Sequence, residues 1–318
     1  MKKSRVATLG VFDGVHRGHR ALLETLGAEA RAARARPFAY TFDPPPAVHF
    51  GRLARGHQLT PLPERIALLE AHGAERVVVI PFASGLARLE PEAFVARHLL
   101  PPGDLAGLVI GYDYRFGAGA RGDAALLARI GRREGFWVRE VGAVEVGGAP
   151  VSSTRIRRLL GAGEVAAAAT LLGRPYRLAG VVIPGRGIGR RALVPTANFH
   201  PPAEQLLPAD GIYVVGVRIG AGAGGSGSPA LWGGVCNLGL APTISTSGNR
   251  LVETHLLDYD GDLVGATLQI CFLERLRDER RFADLDALRR AIDEDIARAR
   301  GVLGARGENR LAACKDAW

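Results

Sequence analysis

Lysine is nearly missing from this chain of 318 residues; it occurs only at Lys2, Lys3 and Lys315. The formal net charge is nevertheless +9, so arginine carries the basic balance. A basic balance invites a nucleic-acid partner. The arginines, however, are dispersed among alanines and glycines and form no dense block. A compositional bias explains that texture better than a binding stripe, and phosphorylated small molecules suit such a surface equally. Cysteine is scarce too. Cys236, Cys271 and Cys314 are far apart and odd in number, forming neither a disulfide framework nor a CxxC site. A reducing cytoplasm fits that usage. No apolar run approaches the length needed to span a bilayer. Lys2 and Lys3 look like the start of a signal peptide, but the apolar run behind them is short and is broken by Asp13 and Gly14. There is no H-E-x-x-H helix and no Walker A loop. What remains is an ordinary globular composition, 47% hydrophobic and 23% charged, in a chain long enough for two domains.

Strand-like and helix-like segments alternate through the first half. "PFAYTFDPP" reads as a strand, "LPERIALLEAHGA" as an amphipathic helix, "ERVVVIPF" as a strand and "PEAFVARHLL" as a helix. "LAGLVIGYDYRFG" is a further strand, followed by the helix "DAALLARIGRREG" and the strand "FWVREV". Such alternation predicts a parallel sheet covered on both faces, with ligands bound beyond the carboxyl ends of its strands. Three distinctive loops fall at such ends: DGVHRGH, FDPPP and GYDYRFG.

The first of these places His16 and His19 three apart, with Gly18 between them, after an apolar strand and before a helix carrying Leu22, Leu23 and Leu26 on one stripe. Three readings compete. A metal site lacks a third ligand at a familiar spacing. Two solvated or capping histidines are the bland reading. A nucleotide site uses the free N–H groups and positive dipole of the helix start, with the imidazoles donating to phosphate oxygens and Gly18 allowing close approach. Local pattern does not choose among them. "VSSTRIRR" poses a similar question. Ser152, Ser153 and Thr154 suit an N-cap, and together with Arg157 they suit a second phosphate clamp.

Near Pro175 the texture changes to short strand-like runs separated mostly by Gly, Pro, Asp or Asn, with one convincing helix at 284–300. That predicts an antiparallel barrel closed by a helix. The expected domains are 1–174 and 175–304, with 305–318 a loosely held tail. Within this half, Thr196 and Asn198 of "PTAN" share a face if extended, and a hydroxyl with an amide oxygen can hold magnesium that also touches nucleotide phosphates. A polar turn is the alternative. Glu253, on a mostly apolar strand, is paired, solvent-facing or a general base.

Taken in order, the motifs resemble one family. In the first half they are "GVFDGVHRGH", "TFDPPP", "LEPEAFV", "GYDYRFG", "VSSTRIR" and "LLGRPY". In the second they are "GRGIGRRALVPTANF", "LPADGIYVVGV", "GGVCNLGLAPTI", "VETHLLDYDGDLVG" and "LRDERRF". The family is the bacterial bifunctional riboflavin kinase/FMN adenylyltransferase, or FAD synthetase. The resemblance implies a Rossmann-like HxGH nucleotidyltransferase domain followed by a small antiparallel β-barrel flavokinase domain with a C-terminal helix. It implies Mg2+ as cofactor, and ATP, riboflavin and FMN as substrates. It assigns His16, His19 and Arg157 to catalysis of adenylyl transfer, with Gly10, Phe12, Asp13, Gly14, Gly18, Ser153 and Thr154 around that nucleotide. Asp113, Phe116 and Gly117 match the loop near the flavin. In the barrel half, Gly185 and Gly189 match the glycine-rich nucleotide segment, Thr196 and Asn198 the Mg–ATP motif, and Glu253 the base that deprotonates the ribityl hydroxyl. A small-molecule enzyme of the cytoplasm, with neither a nucleic-acid nor a membrane partner, is expected.

Four departures stand out. Pro45 replaces the histidine of the usual TFxPHP; Leu193-Val194 replaces Gly-Phe before PTAN; "NLGLAPTI" carries Ala241 and Ile244; and "DLVG" carries Val264 for tyrosine. They keep open an alternative, an FMN adenylyltransferase whose barrel half is an inactive flavin-binding or regulatory module. A basic nucleic-acid-binding protein on the same scaffold is a second rival. A nicotinamide mononucleotide adenylyltransferase leaves the second half unexplained.

Overall fold

The structure, a computed structural model, describes residues 4–54, 56–184, 194–220, 231–239, 251–304 and 307–315. The chain divides into two compact units, Met1–Ser153 and Thr154–Trp318.

The first unit is built on five parallel strands: β1 (Arg5–Leu9), β2 (Arg36–Asp43), β3 (Arg76–Pro81), β4 (Leu105–Gly111) and β5 (Trp137–Val141). Their order is β3-β2-β1-β4-β5, and every neighbouring pair is parallel, the parallel pairing being what the alternating pattern predicts. Strand periodicity sorts the side chains to two faces. Val6, Ala39 and Val109 pack with Leu22, Leu23, Leu26 and Ala30 of the helix Arg17–Ala32. Ala7, Leu9, Tyr40, Leu108 and Ile110 pack on the other side with Phe94, Leu99, Leu127 and Ile130. Both faces are therefore covered. The chain winds outward from β1 through β2 to β3, then returns to β4 on the opposite flank of β1. The order reverses between β1 and β4, and that crevice is where an open parallel sheet binds its ligand.

A small hairpin, β6 (Glu145–Val146) with β7 (Ala149–Pro150), ends this unit. Two helices, Ser153–Gly161 and Val165–Leu172, follow. Then come β8 (Tyr176–Ile183), β9 (Ala197–Phe199), β10 (Gly211–Ile219), β11 (Leu231–Gly239), β12 (Leu251–Leu256) and β13 (Thr267–Arg277). These six strands close into a barrel in the order β10-β11-β12-β9-β8-β13, every neighbouring pair antiparallel. Tyr176, Leu178, Phe199, Tyr213, Val215, Val252, Ile270 and Phe272 alternate inward, all of them buried, and fill the bore. The ring of Tyr213 meets Phe272 edge-on at 5.2 Å. On the outer wall, Ile212, Val214, Cys271 and Leu273 form a second core with Ala299 and Leu303 of the helix Leu285–Gly304.

The segment after Gly304, expected to hang loosely, contains a helix over Gly307–Lys315. Leu311 and Cys314, three apart, face the same core, and Cys314 is buried. Gly216 makes the docking possible, since a Cβ there would lie 2.5 Å from Cys314 Sγ. Arg310 also pairs with Glu274 at 2.6 Å. A two-residue stripe is too short to register as helical periodicity, so its partner surface on the barrel decides it.

Candidate active sites

In the first unit the loop after β1 lies at the switch point. Its backbone is strained. Phe12 and Val15 adopt φ of 53° and 38°, on either side of Gly14 at 90°. A β-branched residue in that region is a genuine outlier, and each such residue costs about 1–3 kcal/mol. A set of braces holds the loop in place. Asp13 Oδ1 accepts from the N–H groups of Leu59 at 2.8 Å and Thr60 at 3.0 Å. The Gly14 N–H donates to Thr60 Oγ1 at 3.0 Å, and the Ser153 hydroxyl donates to the Asp13 carbonyl at 2.8 Å. Val11 O accepts from Arg65 Nη1 at 2.8 Å and from the Thr41 hydroxyl at 3.0 Å. Hydrogen bonds to charged groups contribute roughly 1.5–3 kcal/mol each, enough to offset the strain.

The braced loop delivers the two histidines together. Their rings stack at 3.7 Å with an interplanar angle of 15°. His16 is buried and N-caps the helix Arg17–Ala32, its Nδ1 accepting a long 3.4 Å bond from the His19 N–H. In that arrangement the remaining N–H of neutral His16 is on Nε2. Phe12 presents its ring edge-on to His19 at 5.2 Å. A Cβ on Gly18 would stand 3.2 Å from His16 Cε1, so this glycine makes room for the imidazole itself. Gly10 borders the ring of Phe12 in the same way. The Asp13 carboxylate is buried in its bonds to Leu59 and Thr60, which makes it a brace of the loop.

Ser153 reaches this loop directly. Thr154, exposed, and Arg157, half-buried, sit on the helix that Ser153 begins. At the end of β4, Tyr112 and Asp113 are exposed. The Phe116 ring is buried beside Tyr114, stacked at 5.8 Å, and Phe94 at 5.9 Å. Gly117, at φ 73°, lets the loop pass against Pro91. Burial pushes the Tyr114 phenol well above its ordinary pKa. Pro45 is buried and caps the short helix Pro46–His49 through its carbonyl, at 2.9 Å from the Val48 N–H.

The second candidate site lies on the outer wall of the barrel. Strand register sets Asn198 of β9 opposite Glu253 of β12, and Glu253 opposite Asn237 of β11. Directly opposed residues share a face, so the three make a row across adjacent strands. Asn198 is buried, and its Oδ1, like that of Asn237, has no hydrogen-bond partner among the described residues. An unsatisfied buried amide oxygen calls for an occupant. Thr196, two residues before Asn198, is exposed. Beside Glu253 on the same face of β12, a ring nitrogen of His255 lies 2.8 Å from Pro195 O and ties the PTAN segment to β12. Asn237 was not singled out by reading the sequence; its signal is register, which exists only once strands pair. Gly185, Gly189, Leu193, Ala241 and Ile244 lie outside the described residues. Val264 is 48% exposed.

A doubly wound sheet with stacked imidazoles at its switch point, joined in one chain to a barrel bearing an Asn–Glu–Asn row, defines a two-module transferase acting on nucleotides. Residues 1–155 match the family profile of FAD synthetase, and residues 172–303 that of riboflavin kinase. A bifunctional riboflavin kinase/FMN adenylyltransferase of Pseudomonas fluorescens is 37% identical over 297 residues, covering 93% of this chain and 92% of the relative. The one from Escherichia coli K12 is also 37% identical, covering 94% and 93%. A crystal structure described as a macrolide-efflux protein from Streptococcus pneumoniae matches with a TM-score of 0.82 and 28% identity, covering 94% of this chain and 95% of that one. The chain belongs to the bifunctional riboflavin kinase/FMN adenylyltransferase family. Among the described residues no helix is long and apolar enough to cross a membrane.

Proposed function

We propose that this chain makes FAD from riboflavin in two ATP-dependent steps, one in each module. In the barrel, the terminal ribityl hydroxyl of riboflavin attacks the γ-phosphorus of ATP. Glu253 takes the hydroxyl proton, ADP leaves and FMN forms. In the parallel-sheet unit, a phosphate oxygen of FMN attacks the α-phosphorus of a second ATP. The bond to pyrophosphate breaks and FAD forms, with no covalent enzyme intermediate. His16 and His19 donate to the phosphate oxygens as charge builds on them, and the helix start adds its dipole. Ser153, Thr154 and Arg157 form the second phosphate clamp. Gly10, Phe12, Asp13, Gly14 and Gly18 shape the nucleotide loop, while Asp113, Phe116 and Gly117 shape the flavin side. Phe116 acts there from within the core.

Thr196 and Asn198 would hold Mg2+, and the unsatisfied Asn198 Oδ1 fits a hard cation that prefers oxygen. Bound there, the ion would neutralise charge on the ATP phosphates. Gly185 and Gly189 would complete that nucleotide site. The catalytic boundaries of this reading are 1–174 and 175–304. Three free, buried cysteines suit a reducing cytoplasm. Small molecules are the partners. Surface arginines such as Arg36 with Glu75, Arg139 with Glu29 and Arg300 with Asp258 are engaged within the chain, which speaks against a nucleic-acid stripe.

The observation that carries the reading is the stacked pair His16–His19 at the switch point. Chromatography of products tests it. Riboflavin with Mg–ATP should give FMN and then FAD, and FMN with Mg–ATP should give FAD and pyrophosphate. FAD from FMN without FMN from riboflavin would favour an adenylyltransferase with a regulatory barrel.

A further inference from the structure

Among the described residues Arg65 is the largest fully buried side chain, on the helix Leu62–Ala71 and beyond the carboxyl ends of β1 and β2. Its Nη1 donates to Val11 O at 2.8 Å and to Phe42 O at 3.3 Å, and approaches Thr41 Oγ1 at 3.4 Å. Its Nη2 faces Asp43 Oδ1 at 3.5 Å. One guanidinium thus joins the loop that carries both histidines to the carboxyl end of β2. The arrangement is not optimised for stability. Nε and Nη2 are buried with no hydrogen-bond partner among the described residues. Packed apolar side chains would usually serve a core as well or better than an incompletely satisfied buried cation. Burial lowers its pKa, while the Asp13 and Asp43 carboxylates act in the opposite direction.

Val11 immediately precedes Phe12, the first of the two strained residues, and its carbonyl receives both Arg65 and Thr41. Releasing that carbonyl frees the start of the loop that ends in His16. We propose that Arg65 is a positioning residue for adenylyl transfer: its planar fork fixes the β1 loop against the carboxyl end of β2, and through Val11 it sets where His16 and His19 stand. This rests on the adenylyl-transfer reading of the first unit. It makes the segment Gln58–Arg65 a working part of the site, since Leu59 and Thr60 brace Asp13 and Gly14 from the same stretch.

The test compares the full-length parent with Arg65→Lys and Thr41→Val. It measures kcat and KM for FAD formation from FMN, FMN formation from riboflavin in the same preparations, and thermal melting. Lysine keeps the charge but loses the fork that spans the β1 loop and the end of β2. In Arg65→Lys the kcat for FAD formation should fall about tenfold or more, with KM for FMN within about threefold, as expected when geometry at the reacting atoms is lost. Riboflavin phosphorylation should keep its parental rate. Thr41→Val should move kcat the same way by a smaller factor. A folded Arg65→Lys with parental kcat overturns the proposal. So does a parallel loss of both activities with a lowered melting temperature, which would mean a structural role only. If Arg65→Lys does not fold, Thr41→Val decides, and a parental kcat there overturns the proposal. A parent that makes no FAD from FMN refutes the adenylyl-transfer reading and this proposal together. A parent active beside unchanged variants refutes only the role of Arg65.

Discussion

His16 and His19 stack on each other but stand in different surroundings. The first is buried and caps a helix, while the second is half-buried against Phe12. Alanine at either position should lower FAD formation from FMN by at least about a hundredfold, the scale of losing an oxyanion-type donor. FMN formation from riboflavin should continue, and product chromatography reads both. Near-parental FAD formation in both variants would disprove the assignment. At Glu253 the informative change is Glu253→Gln, which keeps the size and much of the hydrogen bonding but accepts no proton. It should slow FMN formation by about 10² to 10⁴ and leave adenylylation of supplied FMN intact. Equal kinase rates in parent and variant would make Glu253 a structural strand residue. The histidine pair was legible because both members sit in one short run of sequence. Asn237 was not, because it acquires meaning only from standing opposite Glu253. Arg65 was hidden for a related reason: an arginine in an amphipathic helix looks solvent-facing until the helix is docked and its side chain is fully buried.

Among elements, the parallel sheet and its covering helices could be read from periodicity, because each strand is flanked by turn residues and each helix carries an apolar stripe. The barrel could be read as a class from its short strands, but the order β10-β11-β12-β9-β8-β13 could not, since pairing between distant strands leaves no local trace. The helix Gly307–Lys315 was missed because its stability comes from its berth on Gly216 and the second core. Cysteine chemistry reports on that berth. All three thiols are buried, and burial pushes Cys236 up to about 12. A thiol reagent near pH 8 should therefore label none of them in the native protein and all three in denaturant. Gly216→Ala should displace the terminal helix and make Cys314 reactive while FAD formation from FMN persists. Mass spectrometry of the labelled chain checks both, and native labelling at Cys236 in the parent would contradict the packing.

For the molecule as a whole, separate cores predict separable chemistry. The sheet is buried by its own helices and the barrel by its own. FMN released by one chain should therefore serve another. Neither His16→Ala nor Glu253→Gln alone should carry riboflavin through to FAD efficiently. An equimolar mixture of the two should do so after a lag while free FMN accumulates. Time-resolved chromatography would show that lag. A mixture no better than either variant would mean that FMN does not pass between chains.

A bore filled with Phe199, Tyr213 and Phe272 turns the barrel into a pedestal, with the row Asn198, Glu253 and Asn237 on its outside. Many small barrels couple the size of what they bind to the width of their interior. On the reading proposed above, the two are independent here. With the flavin held at that outer row, the positions around it can drift toward modified flavins without disturbing the packing that keeps the barrel closed. Conversely, selection for thermal endurance can rework the bore without altering which vitamin analogue is accepted. Substrate repertoire and durability can thus evolve as separate traits in this module.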